Sequence, residues 1–236
     1  MTRRRWIADE VSGNRAVLLG SHAEHLARVL RACIGQEFDI STGNQVRRGR
    51  IVSVSPERVE FELGEGVSAS DALPVTLALS IFKFDRMEWA IEKCTELGAA
   101  RIVPVIARRT ESHLAAAASK RVERWRRIGR EAAQQCRRVS VPEISDPMRF
   151  KDVSALSGST RIVLSEVERQ RSLKNALQAS SKDDLVLAFG PEGGWTQEEL
   201  QTFQEAGWIS ASLGHTILRA ETAAIAAMAI VAAEFA

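Results

Sequence analysis

The chain has 236 residues, 45% of them apolar and 26% charged, with a formal net charge of +2. That length holds one large domain or two smaller ones, and the composition is that of a soluble globular protein. The charge is uneven: residues 101–140 carry eleven Lys/Arg against three Asp/Glu, while 51–100 carry four against nine, a pattern that points to an anionic partner over a small area. Cys33, Cys94 and Cys136 are odd in number, far apart and accompanied by only four histidines, so neither a disulfide framework nor a metal site is expected. The opening MTRRRWIADEV has no apolar signal core, and the apolar run from Ala223 to Ala233 is too short to span a bilayer. A cytoplasmic location with no membrane partner is expected.

Residues 1–72 read as a small, mostly β domain. The runs Phe38 to Ile40, Arg50 to Val54 and Val59 to Leu63 alternate, with turn signals at Thr42-Gly43-Asn44 and Ser55-Pro56 between them. A helix is predicted over about His22–Leu30, with Leu26, Val29 and Leu30 on its apolar side and Arg28 and Arg31 elsewhere. Asp71 to Pro74 is the linker, and a second domain runs over 73–236. It begins with a buried strand from Val75 to Ile81 and a helix from Met87 to Leu97, whose stripe is Met87, Ile91, Cys94 and Leu97. After Gly98 comes a strand from Arg101 to Ile106. Lys120 to Cys136 is a basic helix that turns Val122, Trp125, Ile128 and Ala132 to the core and leaves Arg124, Arg127, Arg130 and Arg138 near one outer side.

A strand from Arg161 to Ser165 and a helix from Ser172 to Leu177 lead to Leu185–Phe189, apolar throughout as a strand covered on both faces requires. Gly190-Pro191-Glu192-Gly193-Gly194 follows, where glycines let the backbone approach a ligand closely. The spacing is neither that of a P-loop nor of a dinucleotide fingerprint. Thr196 and Glu199 form a predicted capping box for a helix that Gly207 stops. Trp208 to Leu213 reads as a strand, Gly214 opens a second loop through Arg219, and a last helix carries Glu221 in its first turn. The α/β alternation predicts a mainly parallel sheet with helices on both faces. Two glycine-broken loops leave strand ends, where such sheets place ligands.

GPEGG followed at a distance by LGHTILRAETA closely resembles the end of the SPOUT methyltransferases, and within them the RsmE-type 16S ribosomal RNA uridine N3-methyltransferases. HAEHLARVLRACIGQEF resembles that family's N-terminal PUA-like barrel, and KFDRMEWAIEKCTELG its lysine-bearing loop and helix. Gln134-Gln135-Cys136-Arg137-Arg138 resembles a segment usually reading EQ-x-GR, with Gln134 in place of the acidic residue and Arg137 in place of the glycine. The resemblance implies a C-terminal trefoil knot, a homodimer, S-adenosylmethionine as cofactor and ribosomal RNA of the small subunit as partner.

The cofactor loops it implies are formed by Leu164 and Ser165; by Gly190, Pro191, Glu192, Gly193 and Gly194; and by Leu213, Gly214, Ile217 and Leu218. Uridine N3 must lose a proton, leaving negative charge on O2 and O4, so a cation or a set of N–H donors facing the base stabilises the transition state. Arg219 is the candidate, with Glu166, Glu192 or Glu221 to accept the proton or hold that arginine. RNA contacts are assigned to Arg3, Arg4, Arg5, Arg28 and Arg31, with Arg47, Arg48 and Arg50 beside them. Lys83, Arg86, Lys93, Arg126, Arg127, Arg130, Gln135 and Arg138 complete the set, positioning the backbone rather than reading sequence. A non-catalytic RNA-binding module and a SPOUT enzyme acting on transfer RNA remain alternatives at this point.

Overall fold

The computed structural model describes residues 5–43, 45–68, 72–179, 181 and 183–235. The chain forms two units, residues 1–71 with 133–141, and residues 72–132 with 142–236. The first unit is therefore discontinuous: the end of the basic helix and the turn after it join the N-terminal residues.

The first unit holds β1 (Arg5–Ile7), β2 (Glu10–Ser12), β3 (Arg15–Leu19), α1 (Gly20–Glu24), β4 (Glu37–Ser41), β5 (Gln45–Val54) and β6 (Arg58–Ser68). They pair in the order β1-β4-β5-β6-β3-β2, with β1-β4 parallel and the rest antiparallel. This is a mixed half-barrel sheet. Its core is Trp6, Leu18, Leu26, Ile40, Ile51 and Phe61, from alternate positions of the strands and from the helical turn. The predicted helix over 22–30 is α1 running on into a π-helical turn, His25–Val29. The wider turn rotates Val29 outward to 65% exposure, off the apolar side expected for it, while Leu26 stays buried.

The second unit holds β7 (Leu73–Ser80), α2 (Phe84–Glu96), β8 (Ala99–Ile106), α3 (Ser112–Ala117) and the start of α4 (Val122–Gln135). After α4 come β9 (Glu143–Ile144), β10 (Met148–Arg149), α5 (Phe150–Val153), β11 (Thr160–Leu164) and α6 (Leu173–Gln178). The last elements are β12 (Leu185–Phe189), α7 (Gln197–Glu205), β13 (Ile209–Ala211) and α8 (Ala220–Phe235). The seven strands are all parallel in the order β10-β8-β7-β12-β11-β13, with β9 beside β8.

Strand alternation divides the core. Leu77, Leu79, Leu185, Leu187 and Phe189 face the layer of α2, α4, α6 and α8. Ala78, Val103, Val105, Val186 and Ala188 face Trp195, Phe203 and Trp208 on the other side. Trp125 is fully buried in the first layer, so the basic helix turns its tryptophan inward. The predicted strand from Trp208 to Leu213 shortens to β13, because Ser212 bonds Arg171 and Leu173 instead.

Candidate cofactor cavity and its surroundings

β11, β12 and β13 end side by side, and the loops leaving them enclose a cavity of about 470 Å³. That volume is in the range of small-molecule sites. Leu164, Ser165, Gly190, Pro191, Glu192, Gly193, Gly194, Leu213, Gly214, Ile217 and Leu218 all line it, together with Glu166 and Arg219. The structure thus gathers the three loop groups that the sequence singled out.

Each loop is held locally. Gly194 N–H donates to Pro191 O at 2.8 Å, closing GPEGG into a turn that needs Gly194 at φ +68°. The capping box behind it is formed: Thr196 Oγ1 accepts from Glu199 N–H, and Glu199 Oε2 accepts from Thr196 N–H. The other oxygen of Glu199, a residue only 1% exposed, accepts from Arg108 N–H at 2.8 Å. Arg109 then donates to Gly193 O at 2.6 Å and to Trp195 O. Trp195 donates its indole N–H to Leu164 O, tying the GPEGG turn to the end of β11.

After Ser165, Glu168 Oε1 accepts from the N–H groups of Gln170 and Arg171. The Gln170 N–H bond first among these holds its carboxyl below the usual range, and the turn presents Arg169 to the cavity. The third loop is different. Among the described residues, 213–218 make no backbone–backbone hydrogen bond, so their N–H and C=O groups stay available to a bound ring.

The charged groups divide into paired and unpaired. Arg86 lies in the cavity rather than on an outer face, with Nη1 3.0 Å from Glu192 Oε1 and Nε 3.7 Å from Glu221 Oε1. Glu221 is 4% exposed and its Oε2 makes no hydrogen bond among the described residues. Two of the three carboxylates considered for holding Arg219, Glu192 and Glu221, are thus engaged by Arg86. Glu166, Arg169 and Arg219 have no side-chain ion pair or hydrogen bond among the described residues. Glu166 leans over Gly194, where an added Cβ would stand 2.3 Å from its Oε1.

The RNA candidates are placed less uniformly. Arg3 and Arg4 lie outside the described residues. Arg5 donates to Arg137 O, and Arg28 pairs with Glu24. Arg31 is exposed at φ +50°. Arg47 is bound to Gly13 O, Asn14, Leu63 O and Gly64 O, and Arg48 pairs with Glu37, while Arg50 is exposed. Lys83 is exposed immediately before α2. Lys93 is held by Glu92 and Glu96, which raise its pKa. Arg126 bonds Ile144 O, Glu123 and Asp146; Arg127 pairs with Glu131. Arg130 is half-buried and Gln135 exposed. Arg138 is 3% exposed, so the outward position expected for it is corrected: the turn after α4 folds it in. Arg137, at the position where the resembled segment has glycine, adopts φ +63°.

Sequence reasoning missed Arg109 and Arg169. Both sit in irregular turns between elements, where no periodicity marks a residue. Only the charge itself was visible there.

The fold and cavity belong to an RNA methyltransferase: the model of the RNA methyltransferase domain matches residues 69–232. A relative from Synechocystis sp., "Ribosomal RNA small subunit methyltransferase E", is 36% identical over 222 residues, covering 90% of this chain and 71% of its own. The Bacillus subtilis protein of that name is 30% identical over 225 residues, covering 91% and 88%. A crystal structure of the same-named enzyme from Neisseria gonorrhoeae, bound to S-adenosyl methionine, superposes with a TM-score of 0.83 at 29% identity over 97% of this chain and 96% of its own. The chain belongs to the ribosomal RNA small subunit methyltransferase E family.

Proposed function

We propose that this enzyme transfers a methyl group from S-adenosylmethionine to N3 of a uridine in 16S ribosomal RNA. The observation that carries the reading is the cavity itself. Its floor is glycine backbone, its third loop has uncommitted N–H and C=O groups, and Phe189, Leu213, Ile217 and Leu218 supply apolar walls. Such a lining fits a flat, hydrogen-bonding adenine ring. The bound cofactor supplies a methyl already activated as a sulfonium. What remains for the chain is to align the base and manage one proton.

Arg86 occupies Glu192 and Glu221, which leaves Glu166 as the unpaired carboxylate on the cavity. We assign it the proton of N3. Arg219, unpaired on the facing loop, meets the uracil carbonyl oxygen as that proton leaves, its planar donors fixing the base. Arg219 lies one residue before α8, where a cation opposes the helix dipole and adds nothing to local stability.

Around this centre we place the family's other features. The half-barrel unit, residues 1–71 with 133–141, is a PUA-like RNA-binding domain, and residues 72–132 with 142–236 are the catalytic domain. The insertion of β12 between β7 and β11, and the return of the chain from β13 to α8, support a trefoil knot. The homodimer is supported by α8, whose Ala226, Ala229 and Ala233 are not buried although the helix is built almost wholly of apolar residues. The enzyme acts in the cytoplasm, where ribosomal RNA is.

Calorimetry with S-adenosylmethionine tests the cavity. Deleting the gene and analysing nucleosides of 16S ribosomal RNA by mass spectrometry tests the reaction: loss of 3-methyluridine is expected. An unchanged nucleoside profile, or loss of a ribose-methylated one, refutes it.

A further inference from the structure

We propose that Arg86 is a positioning residue of the cofactor cavity, acting as a strut between the GPEGG turn and the first turn of α8. Three separate elements meet at its guanidinium. Arg86 stands in the first turn of α2, Glu192 at the centre of the GPEGG turn, and Glu221 in the first turn of α8. The residues are far apart in sequence, and no backbone hydrogen bond joins the GPEGG turn to α8 among the described residues.

The geometry shows why the strut matters. Glu221 is buried in the first turn of α8, and a buried carboxylate is tolerated only beside a partner. Arg86 Nε, 3.7 Å away, is that partner. Once Arg86 is fixed by this buried charge, its Nη1 is directed at Glu192, 3.0 Å away. The Glu192 side chain would otherwise be free to swing into the cavity that it lines. Its capture sets the GPEGG turn and keeps a negative charge away from the place where N3 develops its own. Arg86 therefore acts through Glu192 and not on the substrate, a role distinct from contact with RNA phosphate. This proposal rests on the cofactor reading of the cavity.

The test uses the full chain with Arg86→Met, Arg86→Lys, Glu192→Gln and the Arg86→Met/Glu192→Gln pair. Affinity for S-adenosylmethionine is measured by calorimetry, and amide exchange at Gly194 is followed in the protein without cofactor. Gly194 N–H reports the turn directly through its bond to Pro191 O. Arg86→Met is expected to weaken cofactor binding roughly tenfold and to speed that exchange. Glu192→Gln should shift both in the same direction, less far. The double variant should be no worse than Arg86→Met, because the two groups act as one, and Arg86→Lys should recover part of the loss.

If Arg86→Met leaves cofactor affinity and Gly194 exchange unchanged but lowers RNA affinity, Arg86 is an RNA contact and the proposal is overturned. Additive effects in the double variant overturn it as well. Should Arg86→Met fail to fold, Glu192→Gln alone decides: wild-type exchange at Gly194 removes the strut. Failure of the wild-type protein to bind the cofactor would sink the cavity reading instead, and the exchange comparison keeps the two failures apart.

Discussion

Gly194 offers the sharpest single perturbation. Its φ is +68°, and a methyl built on it stands 2.3 Å from Oε1 of Glu166 and 3.2 Å from the carboxyl carbon. Gly194→Ala therefore has two separable effects. The left-handed backbone costs about 1–2 kcal/mol for an L-residue. At this chain length that lowers the melting temperature by roughly 2–8 °C. The clash is with the end of an exposed side chain, so Glu166 swings away and little further stability is lost. Turnover pays for that movement: displacing the proton acceptor is expected to slow methyl transfer about a hundredfold. The assay is thermal unfolding by circular dichroism together with transfer of a radiolabelled methyl group to ribosomal RNA. Glu166→Ala should be as slow as Gly194→Ala yet melt like wild type, and the double variant should be no slower than Glu166→Ala. A Gly194→Ala protein that melts and turns over as wild type would refute both the strain and the role of Glu166.

Arg219→Ala should lower turnover about a hundredfold while cofactor affinity stays within a few-fold and the melting temperature is unchanged; Arg219→Lys should restore only part. Arg137→Gly should raise stability by up to about 1 kcal/mol, because glycine takes φ +63° without strain, and denaturant unfolding reads it. Cys94 is fully buried, which pushes its thiol from 9.0 up to about 12. The unfolded thiol ionises first, so its contribution is constant below pH 9 and falls between about 9 and 12, by about 1.4 kcal/mol per pH unit. The chain has no tyrosine to add to that alkaline loss, and Cys94→Ala should flatten the alkaline stability profile. Removing Lys83 and Arg169, which lack ion partners among the described residues, should reduce the salt dependence of RNA binding more than removing Arg126 and Arg127, whose carboxylate partners already neutralise them.

Whatever depends on neighbours along the chain is legible in the residues themselves. Leu185–Phe189 is a strand because five consecutive apolar residues suit a position covered on both faces. The capping box of Thr196 and Glu199 was legible because its partners lie three residues apart. The left-handed turns at Gly194, Gly207 and Gly214 follow from glycine's lack of a Cβ. Naming the residues of the cavity rested instead on the resemblance of GPEGG and LGHTILRAETA to a known family.

Tertiary structure alone decided which charges are already spent. Arg86 reads as one more basic residue on α2, but its partners are Glu192 and Glu221, more than a hundred positions away. Arg126 reads as part of a free basic face, yet the chain beyond α4 returns Ile144 O and Asp146 to it. The discontinuous first unit was hidden for the same reason, since residues 133–141 look locally like a helix end, yet Arg5 donates to Arg137 O and Ser41 to Val139 O. Periodicity carries information over one or two turns of helix or a few residues of strand. Ion pairing depends on proximity in space, which the folded chain sets over any sequence distance.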